Sequence, residues 1–132
     1  MHPIEFFSHI RHDQIVAAIR KAEERSTGQI RVFVSRRKVS DPVAAARRRF
    51  VDLDMHRTAG RNAILIFVAP HTQTFAVIGD RGVHERVGES AWQALAGQTG
   101  EHFKNERIMP GILFAIERAG QLLAEHFPKA NS

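Results

Sequence analysis

The amino-acid sequence predicts an α/β fold, a three-layer-like α/β sandwich in which a small mixed sheet is flanked by helices. Three observations predict it. Helix-like and strand-like stretches follow one another in the order α-β-α-β-β-α-α. A strand–helix–strand unit favours two parallel strands joined by a right-handed crossover. A short turn at residues 70–73 then favours a third strand that returns antiparallel, as a hairpin.

The first helix is predicted over residues 12–25, with Asp13 as its N-cap. The break at residues 26–28 ends in glycine, which is typical of a helix C-terminus. Strand one follows at residues 30–34, where the side chains alternate and are mostly β-branched. The apolar face of the helix should carry side chains at the 3.6-residue period: Ile15, Val16, Ile19 and Ala22.

The second helix begins at a strong start signal, residues 40–42 (Ser-Asp-Pro), because serine or aspartate can cap a helix and proline suits its first position. It continues to about residue 53. Residues 63–68 are apolar on both faces, so they should form the central strand. Strand three occupies residues 74–78 and ends in the loop 79–82 (Gly-Asp-Arg-Gly).

The rest of the chain is predicted to be helical. One helix should hold Ala91, Trp92, Leu95 and Phe103. A second helix follows the Pro-Gly pair at residues 110–111 and ends at Pro128. Its wide apolar stripe is more typical of core packing than of a partner surface: Ile112, Leu113, Ile116, Ala119, Leu122, Leu123 and Phe127.

Length and composition favour one globular domain. The chain has 132 residues, 43% apolar and 25% charged, which predicts a single domain over residues 1–128 and a disordered tail at 129–132. The absence of cysteine excludes disulfides, thiolate metal sites and a cysteine nucleophile. No apolar run reaches the length of a membrane span, and the N-terminus lacks a signal-peptide pattern, so a cytoplasmic location is expected.

The predicted topology brings three polar loops to one end of the sheet. Parallel strands one and two begin at this end, and the antiparallel strand three finishes there. The loops are residues 27–29, 54–62 and 79–82. They contain most of the unusual polar residues of the chain: Gln29, Asp54, Thr58, Arg61, Asn62, Asp80 and Arg81.

These residues suit two kinds of ligand. The oxygens of Asp80, Asn62 and Asp54 suit a hard cation such as Ca²⁺ or Mg²⁺. The guanidinium groups of Arg61 and Arg81 suit a phosphate. Because the same residue types also fill ordinary turns, spacing alone leaves a purely structural role open.

The sequence resembles the TPM-domain family in three segments, residues 27–32 (Thr-Gly-Gln-Ile-Arg-Val), 58–69 and 75–83. The resemblance extends over most of the chain, from about Ile15 to Pro128. The family is named for a thylakoid-lumen acid phosphatase, a photosystem II repair protein and a receptor modulator. The resemblance implies an α/β sandwich, divalent-cation binding with calcium foremost, and acid phosphatase activity in some members.

Within this resemblance, Asp80 matches the acidic position of the family's Gly-Asp-x-Gly loop, and Arg61 with Asn62 matches the loop that opens the central strand. Gln29 stands where many members carry glutamate after Ser/Thr-Gly. This neutral amide weakens the case for a cation site and for hydrolysis, although an amide oxygen can still ligate calcium.

The first functional hypothesis is a soluble domain of this family that binds a divalent cation and hydrolyses phosphate esters weakly, through water activated by the metal. No catalytic residue is assigned. The expected metal ligands are Asp80, Asn62 and Asp54, and the expected ligand-binding residues are Arg61, Thr58, Gln29 and Arg81.

The second hypothesis is a non-catalytic interaction module. The formal charge of +5, from 19 Lys and Arg against 14 Asp and Glu, favours an anionic partner. The basic runs at residues 36–38 and 47–49, or the exposed sheet edge, would then bind a protein or another anion. The arginines of 47–49 should point in different directions around a helix, and no nucleic-acid motif accompanies them, so a nucleic-acid partner is not expected.

Overall fold

The computed structural model describes residues 11–129 and confirms the predicted α/β architecture. Within this range a three-stranded sheet is flanked by five helices. In chain order the elements are α1 (His12–Glu23), β1 (Gln29–Val34), α2 (Pro42–Asp52), β2 (Ala63–Ala69), β3 (Thr74–Gly79), α3 (Arg81–Val87), α4 (Glu89–Lys104) and α5 (Ile108–His126). Two single-turn 3₁₀ helices, Met55–Arg57 and Pro70–Thr72, lie before and after β2.

The central strand of the sheet is β2. It pairs in parallel with β1, from Gln29 opposite Ala63 to Val34 opposite Val68, and antiparallel with β3. All seven residues of β2 are buried, as a strand covered on both faces requires. The crossover through α2 and the tight turn after β2 therefore produce the predicted mixed sheet.

Alternate residues of β2 contribute to two hydrophobic cores. Ile64 and Ile66 face the larger core, which is shared with α1, α4 and α5. Leu65 and Phe67 face a smaller core under α2. The sheet is thus the middle of three layers, and the stripe of α5 is buried as the sequence predicts: Ile112, Ala115, Ile116, Ala119, Leu122 and Leu123.

The start of α1 differs from the prediction. Arg11 holds the N-cap position and makes no side-chain hydrogen bond to the helix, whereas Asp13 lies in the first turn. There the carboxylate favours the helix through its charge instead of a cap. Val16 is 51% exposed, and Ala18 packs against the core in its place. The packed stripe is therefore Ile15, Ala18, Ile19 and Ala22.

The short helix α3 is an addition to the predicted elements. The sequence predicts a loop at residues 79–82, but the helix already begins at Arg81. Asp80 is its N-cap, and Asp80 Oδ1 accepts a hydrogen bond from Arg81 N–H at 2.8 Å. An aspartate with a glycine two residues later fits both a turn and a helix start, and the wider packing decides between them.

After α5 the chain returns beside the start of β1. Pro128 forms an isolated β-bridge with Ser26, and Lys129 N–H donates to the Arg25 carbonyl oxygen at 3.2 Å. Residues 1–10 and 130–132, which include most of the predicted tail, lie outside the described residues. Between residues 11 and 129, every helix is too short or too polar to cross a membrane.

Candidate functional site

Hydrogen bonds join the three polar loops at one end of the sheet. Asn62 Nδ2 donates to Thr27 Oγ1 at 3.0 Å, which ties the loop before β2 to the loop before β1. Gly82 N–H donates to the Arg61 carbonyl oxygen at 3.0 Å, which ties the loop before β2 to the start of α3. A Cβ at Gly82 would lie 2.7 Å from that oxygen and closer still to the Gly60 carbonyl, so this approach requires glycine.

Arg61 and Asp80 form a bidentate ion pair at the centre of this end. Arg61 Nε lies 2.7 Å from Asp80 Oδ2, and Arg61 Nη2 lies 2.9 Å from Asp80 Oδ1. The side chain of Asp80 is 7% exposed and that of Arg61 is 35% exposed. The hydrogen bonds to Asp80 raise the pKa of Arg61 above its usual value. The pair therefore fixes a permanently charged guanidinium at the surface.

The local sequence holds Arg61 in position. Thr58 Oγ1 accepts a hydrogen bond from Asn62 N–H at 3.0 Å, and Arg61 N–H donates to the Thr58 carbonyl oxygen at 3.1 Å. Arg61 adopts a left-handed backbone conformation with φ of 49°. Such a conformation costs a residue with a side chain about 1 kcal/mol or more.

Asn62 is buried, yet its amide is only partly hydrogen-bonded. Its Oδ1 atom has no hydrogen-bond partner among the residues that the structure describes. Its Nδ2 donates to Thr27, and Gly28, the next residue, lies against Leu123 of α5. The Asn62 side chain is therefore on the α5 side of the sheet. Asp80, by contrast, lies opposite Ala63, which belongs to the core under α2. The side chains of Asn62 and Asp80 thus leave the sheet on opposite faces.

The other predicted site residues lie around this centre. The Asp54 side chain is 66% exposed, and its Oδ1 lies 3.5 Å from Arg57 Nε. Arg81 is exposed and contacts Asp80 through its backbone N–H. Gln29 is half-buried at the first position of β1. Across the described range, no group of three or more His, Cys, Asp or Glu side chains is arranged to hold a metal ion.

A cavity of about 580 Å³ opens beside the Arg61–Asp80 pair. It is bordered by α2, β3, the 3₁₀ turn before β2 and the starts of α3 and α4. Its apolar wall includes Trp92, whose ring packs edge to face against His84 with centroids 4.8 Å apart. The other ionisable side chains of this site, which we call the Arg61 cavity, are Arg47, His56, His84 and Glu89.

The sequence indicates Arg47 only as part of the basic run 47–49, apart from the three loops, and it indicates neither His56 nor His84. They lie on α2, on the 3₁₀ turn and on α3, and only His56 falls within one of the three predicted loops. The expected divergence of residues 47–49 is found, because Arg47 lines the Arg61 cavity while the next two arginines line another. The available signal for Arg47 was its spacing of three residues before Phe50, which lines the same cavity.

Known proteins share this fold. The NMR structure of the BA42 protein from the psychrophilic bacterium Bizionia argentinensis matches with a TM-score of 0.80 and 34% sequence identity, over 88% of this chain and 80% of that one. A comparison with curated proteins finds no match. The family model of the TPM domain matches residues 3–122, which confirms the resemblance seen in the sequence. The chain therefore belongs to the TPM domain family.

Proposed function

We propose that this TPM domain binds a phosphate ester in the Arg61 cavity together with a divalent cation, and that it hydrolyses such esters weakly. The observation that carries the proposal is the Arg61 guanidinium, held by two hydrogen bonds to the buried Asp80 at the wall of a cavity. A charged guanidinium group held in one orientation is suited to a phosphate, because little side-chain freedom is lost when the ligand binds.

The charges around the cavity support an anionic ligand. Asp80 uses two of the five N–H groups of Arg61, which leaves three for a ligand. Arg47, His56 and His84 add basic groups to the same cavity, against the single further carboxylate of Glu89. In this arrangement Asp80 orients Arg61 and neutralises part of its charge, while Arg47 supplies the surplus positive charge.

A divalent cation fits this cavity better as a partner of the phosphate than as a resident ion. Asp80 Oδ2 accepts one hydrogen bond, from Arg61 Nε, so it keeps a lone pair. Mg²⁺ is commonly held by one or two carboxylates together with water and ligand phosphates, whereas Ca²⁺ takes six to eight oxygens. Asp80 and Glu89 suit the Mg²⁺ pattern.

Two of the predicted metal ligands contribute less to this proposal. The buried Oδ1 of Asn62 has no partner within residues 11–129, but it lies on the other face of the sheet, and Asp54 is exposed beside Arg57. A bound cation would neutralise the charge of the ester and acidify a water molecule. The chain's own residues would bind and orient the phosphate.

Phosphate binding is tested by titrating inorganic phosphate, with and without Mg²⁺, and following backbone amides by NMR. We expect saturable shifts at Arg61, Asp80 and His84. Arg47→Ala should weaken binding by about two- to fivefold, the effect of one exposed charge contact. Arg48→Ala is the matched control, because it removes the same charge from the same helix but lines a different cavity. An equal loss in both variants, or no saturable shift, would contradict the proposal.

Hydrolysis is tested with a chromogenic aryl phosphate at acid and neutral pH, with Mg²⁺ or with a chelator. We expect slow, chelator-sensitive turnover that Asp80→Asn reduces to the background rate, because the amide keeps the shape of the side chain but not its charge. Asp52→Asn removes an exposed carboxylate beside another cavity and should leave turnover unchanged. Chelator-resistant activity would exclude the role given to the cation.

A further inference from the structure

The outer edge of β1 presents backbone groups that no strand of the described residues covers. Ser35 N–H donates to the Val68 carbonyl at 2.8 Å, so alternate residues of β1 direct their backbone groups toward β2. The residues between them, Ile30, Val32 and Val34, direct theirs outward. Glu23 Oε2 accepts from Ile30 N–H at 2.7 Å. The described part of the chain supplies no hydrogen-bond partner for the N–H groups of Val32 and Val34.

Positive charge predominates at the carboxyl end of this edge, whereas the Glu23 carboxylate lies at its amino end. Arg31 is exposed on the strand itself, and its side chain alternates to the same face as Phe33. A second cavity, of about 330 Å³, lies at the carboxyl end of β1 under α2. Two carboxylates line it, those of Asp41 and Asp52. Four cationic side chains also line it: Arg37, Lys38, Arg48 and Arg49. One of those carboxylates, that of Asp41, already caps α2 by accepting from Ala44 N–H.

Two aromatic side chains, those of Phe33 and Phe67, also line this cavity. Phe33 stacks on Phe67 with ring centroids 5.7 Å apart and planes inclined by 15°. The Arg49 guanidinium lies over the Phe33 ring, 4.2 Å from its centroid. This stacking holds one of the four cations against the sheet, and the other three are exposed. Residues from the two basic runs, which are separate along the chain, therefore meet at the carboxyl end of β1.

We propose that the outer edge of β1 binds an extended acidic segment of another protein as an added strand. The backbone of that segment would pair with Val32 and Val34, and its acidic side chains on the α2 side would meet Arg31, Arg37 and Lys38. An alternating donor and acceptor edge matches a peptide backbone, whereas a polynucleotide has no N–H groups in its backbone to pair with the carbonyls. A second copy of this chain is disfavoured, because two β1 edges would bring like charges together.

The direct test uses a synthetic peptide of about eight residues, long enough to span the strand, with glutamate alternating with β-branched residues. We expect saturable NMR shifts at Val32 and Val34, slower hydrogen exchange of these two amides, and affinity that falls with added salt. The same peptide with lysine in place of glutamate should not bind. Shifts confined to the Arg61 cavity would overturn the proposal without touching the proposed function, which uses different residues.

Two variants separate the backbone contribution from the charge contribution. Val32→Pro removes an outward N–H and leaves the ladder to β2 intact, as proline on an edge strand can, and it should weaken binding by about tenfold. Arg37→Glu with Lys38→Glu should weaken it by about tenfold or more, through lost attraction and added repulsion. The charge-matched control is Lys104→Glu with Arg107→Glu, at exposed positions on α4 and the turn that follows it.

A peptide methylated at alternate backbone nitrogens keeps the test decisive if Val32→Pro fails to fold, since it cannot pair along the edge and should not bind. Undiminished binding of this peptide would overturn the proposal. So would single-stranded DNA of equal charge that binds the same surface as tightly as the acidic peptide, because the surface would then attract any polyanion.

Discussion

Replacing Gly82 with alanine is expected to destabilise the fold by about 3 kcal/mol or more and to lower the melting temperature on the order of 10 °C. The new Cβ would lie 2.7 Å from the Arg61 carbonyl oxygen and would also overlap the Gly60 carbonyl. Both neighbours are backbone atoms, so relief requires the loop before β2 to move away from α3. Thermal and urea unfolding followed by circular dichroism measure the loss.

Gly97→Ala is the matched control for this variant. Gly97 lies exposed within α4, and an added Cβ there would meet no atom within 4 Å. Alanine should therefore raise stability by about 0.5–1 kcal/mol through helix propensity. If Gly82→Ala were as well tolerated as Gly97→Ala, the close contact between the loop before β2 and α3 would be wrong.

Arg61→Ala is the second variant with a large expected effect, a loss of about 3 kcal/mol in the free energy of unfolding. The reason is that the carboxyl group of Asp80, only 7% exposed, would lose the guanidinium with which it pairs and keep only its hydrogen bond from Arg81 N–H. The expected loss lies at the lower end of the range for buried pairs because the Arg61 side chain is itself 35% exposed. Arg57→Ala is the comparison, since it breaks the exposed pair with Asp54 and should cost less than about 1 kcal/mol.

A double-mutant cycle separates the pair from the rest of the loop. Arg61→Ala combined with Asp80→Ala should cost less than the sum of the single changes, by about 1–3 kcal/mol, because the orphaned carboxylate is then absent. Urea denaturation of the four proteins at neutral pH gives this coupling. Strictly additive losses would show that the two side chains do not stabilise each other.

The sheet could be predicted from the sequence because its signals are local and agree with one another. Residues 63–68 are apolar on both faces, and only a central strand buries both faces of such a run. The Ser-Asp-Pro start of α2 also held, with Asp41 as cap. The exposure of Val16 could not be predicted, because tertiary packing decides which of several neighbouring apolar positions on a helix is buried. The start of α3 could not be predicted either, because the same residues suit a turn and a helix start.

The location of the candidate site could be predicted from the sequence, but the geometry of its side chains could not. Strand order shows which loops meet, and Arg61 and Asp80 do meet there. Strand order does not show on which face of the sheet each loop side chain lies, and the Asn62 side chain lies on the face opposite to that of Asp80. The Arg61 cavity was missed because its basic side chains come from three separate elements, whose juxtaposition depends on how α2 and α3 pack.

The hydrogen bonds that join the three polar loops also determine how a ligand would affect the unfolding of this protein. Thr27 and Asn62 are 35 residues apart in sequence, and Arg61 and Asp80 are 19 apart. An unfolded or partly folded chain cannot hold these groups together without the sheet, so the Arg61 cavity exists only in the native state. A ligand of this cavity therefore stabilises the whole domain in proportion to the logarithm of its concentration. Thermal shift is for that reason a direct way to rank candidate ligands.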